Sequence, residues 1–143
     1  DKAQNIAFAT LTSANIDFLK VDKNDVSIVK MHRFTKPEFI PSTQPGEFSA
    51  AITHTNKIGF LDIKSDNDYV YALFSGKTLE KGPAKAFEGD TIYVFDWTGN
   101  LISRLKLDIN ISRMALSKEN KKIYGFVDQV VPQIVTFELP NKF

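Results

Sequence analysis

The chain has 143 residues, 43% of them hydrophobic, enough for one domain with a real core and against the composition of a disordered chain. Lys and Arg nearly balance Asp and Glu at a formal net charge of +1, and no basic cluster is interleaved with aromatics, which counts against a nucleic-acid partner. With no cysteine, disulfides, thiolate metal sites and cysteine nucleophiles are excluded.

Twelve Phe and four Tyr, with many Val and Ile, favour strands, because branched and aromatic side chains pack well on a pleated surface. No apolar run approaches the ~18 residues of a membrane span. Residues 1 to 20 lack the charged start and apolar core of a leader, so a soluble chain with no membrane span is expected.

In chain order, alternating patterns predict strands at 5 to 12, 16 to 21 and 26 to 33. Between the last two, Val21-Asp22-Lys23-Asn24-Asp25 sets a carboxylate straight after an aliphatic residue, as a tight turn requires. His32 falls in Lys30-Met31-His32-Arg33, where it reads as part of a charged edge that discourages aggregation. Residues 34 to 57 form a long connection holding half of the six prolines, Pro37, Pro41 and Pro45. Loops of this kind carry function on a rigid scaffold, or else cover a sheet edge.

Four further strands are predicted at 58 to 64, 69 to 75, 91 to 96 and 101 to 107. Asp62, Asp66 and Asp68 could suggest calcium, but without the glycine and distal glutamate of an EF-hand loop they read as turn residues. In Asp96-Trp97-Thr98-Gly99-Asn100 the carboxylate can bond the turn amides and Gly99 can take positive φ, the pattern of a short hairpin loop. Strands at 111 to 117, 122 to 128 and 133 to 139 complete the chain. Phe137-Glu138-Leu139-Pro140-Asn141 weakly repeats the turn entry.

Residues 58 to 72, IGFLDIKSDNDYVYA, overlay residues 111 to 125, ISRMALSKENKKIYG, without a gap. The overlay pairs Ile58 with Ile111, Leu61 with Met114, Asn67 with Asn120 and Tyr71 with Tyr124. A period of about 50 residues with only short β patterns inside it points to propeller blades. With blade strands named A to D, the chain runs BCD, ABCD, ABC. The expectation is an all-β partial β-propeller of about three blade-like antiparallel four-stranded sheets. It is a single domain over 1–143, with repeats at 1–33, 58–108 and 109–143. Ten strands in this order do not close a ring, so the chain is expected to be part of a longer polypeptide or to associate through its open β edges.

The runs YVYALFSGK (69 to 77), AKAFEGDTIYVFDWTGNLISRLKLD (84 to 108) and KKIYGFVDQ (121 to 129) resemble the TolB-like six-bladed propeller family of bacterial proteins. The resemblance covers residues 58 to 140 well and residues 1 to 57 only by strand pattern. It implies an extracytoplasmic protein, in the periplasm or at the cell surface, and offers no catalytic residues to carry over.

The sequence holds no GxSxG elbow, phosphate-cradling glycine loop or HExxH pair, so no catalytic, cofactor or metal residues are assigned. Asn110-Ile111-Ser112 matches a glycosylation sequon, but Ile111 begins a core strand and the match is incidental. The favoured function is a non-catalytic binding or scaffold module for a protein or carbohydrate ligand. Its contacts are expected at Arg33, Glu38, Phe39 and His54, in and beside the long connection, and at the second D-to-A junction, Asp108 to Asn110. The alternative is a propeller enzyme acting on glycans with catalytic groups partly outside this chain.

Overall fold

A computed structural model describes residues 4–46, 49–117, 121–141 and 143. The first sheet contains β1 (Gln4–Ala9), β2 (Asn15–Asp22) and β3 (Asp25–Arg33) in that order. A two-stranded ribbon, β4 (Phe39–Pro41) and β5 (Ala50–Ile52), follows inside the long connection. The second sheet is β6 (Phe60–Ser65), β7 (Tyr69–Phe74), β8 (Gly89–Asp96) and β9 (Leu101–Ile111), with a short helix α1 (Pro83–Ala86) between β7 and β8. The third is β10 (Arg113–Ser117), β11 (Lys122–Val127) and β12 (Gln133–Glu138). All pairings are antiparallel.

The architecture is the expected all-β partial propeller, and the strands fall within a few residues of the sequence reading. Only the middle sheet has four strands, while the flanking sheets have three among the described residues, matching the order BCD, ABCD, ABC. The ribbon β4–β5 went unanticipated, because three residues per strand are too few for an alternating pattern to declare itself. Asn120 of the overlay lies outside the described residues.

The middle sheet is covered on both faces, which explains why β7 and β8 read as continuous apolar runs, YVYALF and TIYVF, rather than as alternations. Val70, Ala72, Tyr93 and Phe95 pack on one side against Ile16 and Phe18 of the first sheet. Tyr71, Leu73, Ile92 and Val94 pack on the other side against Met114 and Ile123 of the third. The flanking sheets bury one face each, so β2 and β11 alternate. Each fully buried large side chain contributes about 2 kcal/mol by the area removed from water.

Tyr71 and the small residue after its repeat partner behave as the overlay suggests. Tyr71 is buried, and Gly125 leaves room for the Ile111 side chain, whose Cγ2 would sit 2.6 Å from a Cβ at that position. The inner strands β6 and β10 are joined by Asp62. Its Oδ2 accepts the Met114 N–H at 2.9 Å, while Oδ1 takes the Lys64 ammonium at 2.6 Å.

His32 corrects the reading of a charged edge. Its ring turns inward, stacks on Phe34 at 5.5 Å and meets Phe95 at 5.4 Å, and its Nε2 lies 2.7 Å from the Gly99 carbonyl oxygen. With Lys30 Nζ donating to Asn100 Oδ1 at 2.7 Å, it locks the first sheet onto the Asp96–Asn100 turn of the second. That turn forms as anticipated: Asp96 Oδ1 accepts the N–H groups of Thr98 and Asn100 at 2.9 and 2.8 Å, and Gly99 takes φ of +79°.

Candidate binding surface at the loop end of the sheets

In an antiparallel sheet strung A to D, the B-to-C and D-to-A connections gather at one end. Here those loops are bonded to one another through Asn56. Its side chain is 1% exposed, yet every polar atom is partnered. Oδ1 accepts the Glu38 N–H at 2.8 Å, and Nδ2 donates to the carbonyls of Thr12 at 2.8 Å and Lys57 at 3.2 Å. Nearby, the Gly59 N–H donates to the Leu11 carbonyl at 2.7 Å, and Lys77 Nζ donates to Asn110 Oδ1 at 2.7 Å. Asn110, at the second D-to-A junction, is thereby tied to the loop that follows β7.

On this brace stand three of the four residues that sequence reasoning nominated. Glu38 Oε2 accepts the hydroxyls of Thr53 at 3.1 Å and Thr55 at 2.8 Å. The Thr55 hydroxyl first, then that of Thr53, holds the exposed Glu38 carboxyl below the usual carboxylate range. His54, between the two threonines in the chain, exposes its side chain, while its carbonyl accepts the Glu80 N–H at 3.3 Å. Phe39 and Ile40 follow Glu38 on β4 and remain 49% and 61% exposed. The ribbon is covered only in part, where Ile52, opposite Phe39 on β5, packs against the core of the second and third sheets. The connection therefore carries an oriented anion, an exposed imidazole and, on opposite faces of the ribbon, two exposed apolar side chains.

Arg33 is occupied elsewhere. Its guanidinium forms an ion pair with both oxygens of Asp17, with Nη2 to Oδ2 at 3.0 Å, and Nη2 also reaches Met31 Sδ at 3.2 Å. The Asp17 hydrogen bond raises the arginine still further above its ordinary value.

A cleft of about 410 Å³ that sequence reasoning missed opens at the same end, lined by Phe87, Glu88, Arg113, Phe126 and Asp128 among others. A signal for it was available. The overlay sets Arg113 opposite Phe60, which is buried against the first sheet, so an arginine at that register marks a face that no sheet covers among the described residues.

The rows Gln4–Val21–Val26, Ile6–Leu19–Ile28 and Phe8–Asp17–Met31 share the outer face of the first sheet, where Val26, Ile28, Phe8 and Met31 are each more than half exposed. The outer edges of β1 and β12 have no strand partner among the described residues.

A family model described as TolB-like 6-blade propeller-like matches residues 3–119. The match takes in the first repeat and the long connection, which the sequence resemblance reached only by strand pattern. No curated protein and no solved structure matches the chain.

Proposed function

The chain belongs to the TolB-like 6-blade propeller-like family, and on that premise we propose that it is a non-catalytic binding or scaffold module of a bacterial envelope or secreted protein. The observation that carries the reading is the braced loop end, where a fully bonded buried amide fixes the Glu38 backbone at the start of a ribbon that exposes Phe39 and Ile40. Rigid presentation of a few polar groups among apolar ones is what recognition sites share. The resemblance also supports a location in the periplasm or at the cell surface, and fractionation of cells making the full-length protein tests it, cytoplasmic retention being the contrary result. No helix among the described residues is long and apolar enough to cross a membrane.

The apolar outer face of β1–β3 and the free edges of β1 and β12 support pairing with a second chain or with further blades of a longer polypeptide. Light scattering tests the first option. A dilution-resistant monomer with protected amides in both edge strands would rule it out.

Screening the protein against arrayed glycans and peptides, beside Glu38→Ala, Phe39→Ser and His54→Ala, tests the main reading. These exposed positions should change stability by no more than about 0.5 kcal/mol while weakening binding. Reproducible turnover of a substrate would remove the non-catalytic reading. A glycan-acting enzyme is the second reading, and the cleft that holds Glu88, Asp128 and Arg113 together is what favours it. Glycosidase activity that disappears in Glu88→Gln or Asp128→Asn would establish it.

A further inference from the structure

At the opposite end of the sheets, between the second and third, lies a cavity of about 220 Å³. Its walls include Asp66, Asp68, Tyr69, Lys121, Asn141 and Phe143. Asp66 is held from several directions. Oδ1 accepts the N–H groups of Asp68 at 2.9 Å and Tyr69 at 2.7 Å, Oδ2 accepts the Tyr71 hydroxyl at 3.0 Å, and the backbone carbonyl accepts Trp97 Nε1 at 3.2 Å. The Phe143 ring stands edge to face on Tyr69, with centroids 5.1 Å apart, and packs on the buried Tyr71 at 6.2 Å. Across the cavity Lys121 adopts φ of +48°. Asp68, Lys121 and Asn141 are exposed at the rim.

This lining discriminates between ligand chemistries. A simple cation would find the Asp66 carboxylate already accepting three hydrogen bonds and a lysine, Lys121, at the same rim, and an anion would meet the carboxylates of Asp66 and Asp68. A wholly apolar guest would strip water from the charges of Asp66, Asp68 and Lys121 without replacing it. The remaining class is neutral, with hydroxyl groups that both donate and accept and a C–H face that can lie on an aromatic ring. The volume is below the ~300 Å³ at which pockets for drug-sized ligands begin, so it fits one ring rather than a chain.

We infer that the cavity between the second and third sheets binds a single neutral hexose or N-acetylhexosamine residue, with its C–H face against Tyr69 and Phe143 and its hydroxyls on Asp66, Asp68, Lys121 and Asn141. The inference deepens the binding-module reading, on which it rests, by naming a ligand class, but it uses a different surface from the Glu38 site.

Trp97 donates to the Asp66 backbone carbonyl from the first-sheet side of the second sheet and does not line the cavity, so binding is read by isothermal titration calorimetry. The protein is titrated with glucose, galactose and N-acetylglucosamine to about 10 mM, with tetramethylammonium and acetate as charged comparisons. At least one neutral sugar should give saturable heat in the titration, and Asp68→Ala and Lys121→Ala should each weaken that binding about tenfold. Both side chains are exposed, so neither variant threatens the fold, and Glu38→Ala should leave the titration unchanged. The inference is overturned if no sugar binds, if only a charged probe binds, or if Asp68→Ala and Lys121→Ala bind as the parent does. Sugar binding lost in Glu38→Ala but kept in Asp68→Ala also overturns it, while leaving the loop-end reading standing.

Discussion

Replacing Asn56 by Ala should cost about 3 kcal/mol of folding stability. The amide is buried and makes three hydrogen bonds, to the Glu38 N–H and to the carbonyls of Thr12 and Lys57. Alanine leaves all three partners behind at a site that is closed to water. An unpaired donor or acceptor costs roughly 1 kcal/mol or more, and the N–H is the least tolerant. With a urea slope of about 2 kcal/mol per molar, the midpoint should fall by about 1.5 M, measured by far-UV circular dichroism. Asn56→Asp sharpens the test, since it keeps an acceptor for Glu38 but turns an acceptor towards two carbonyls. It should be worse than Ala at neutral pH and recover as acidification protonates the buried carboxyl. If Asn56→Ala unfolds within about 0.5 kcal/mol of the parent, the amide does not hold the loops together and the case for a rigid loop end fails.

Tyr71→Ala should lower stability by about 3 kcal/mol or more, as large-to-small core changes do, and coincident denaturation midpoints would contradict its burial. Tyr71→Phe keeps the ring but loses the bond to Asp66, and should cost about 1.5 kcal/mol. Gly125→Ala places a methyl group against Ile111 Cγ2 and should cost about 1–3 kcal/mol, partly restored when Ile111→Ala is added. Burial alone would raise the Asp96 carboxyl, but the Thr98 hydroxyl and the backbone and side-chain N–H groups of Asn100 outweigh it and hold it below the usual carboxylate range. The unfolded chain therefore takes up this proton more readily, so the stabilisation is present above about pH 4 and is lost as the pH falls through the folded value. Urea midpoints of the parent and Asp96→Asn should converge between neutral pH and pH 3 or so, and a constant gap would count against the assignment.

Strand positions were legible because a period of two residues is a local property and the internal overlay carried the register from one blade to the next. The Asp96–Asn100 turn was legible for a similar reason: a carboxylate and a glycine four residues or fewer apart specify it without help from the rest of the chain. The candidate site was legible in part. Glu38, Phe39 and His54 are exposed, as residues of a surface connection usually are, while Asn56 of the same connection is buried.

What only the tertiary structure decided is which polar groups are already satisfied. Arg33 looked available until Asp17, sixteen residues earlier, took its guanidinium. Asn56 looked like one more loop residue until it met the Thr12 carbonyl forty-four residues away. His32 alternates along β3 as a surface residue would, yet the face it shares is the one that the second sheet covers. The amino-acid sequence by itself determined the ten strands of the three sheets and their order along the chain, since these follow from side-chain alternation between covalent neighbours. Partnership depends on groups that loops bring together, so which residues stay free to meet a ligand was settled only when the sheets packed.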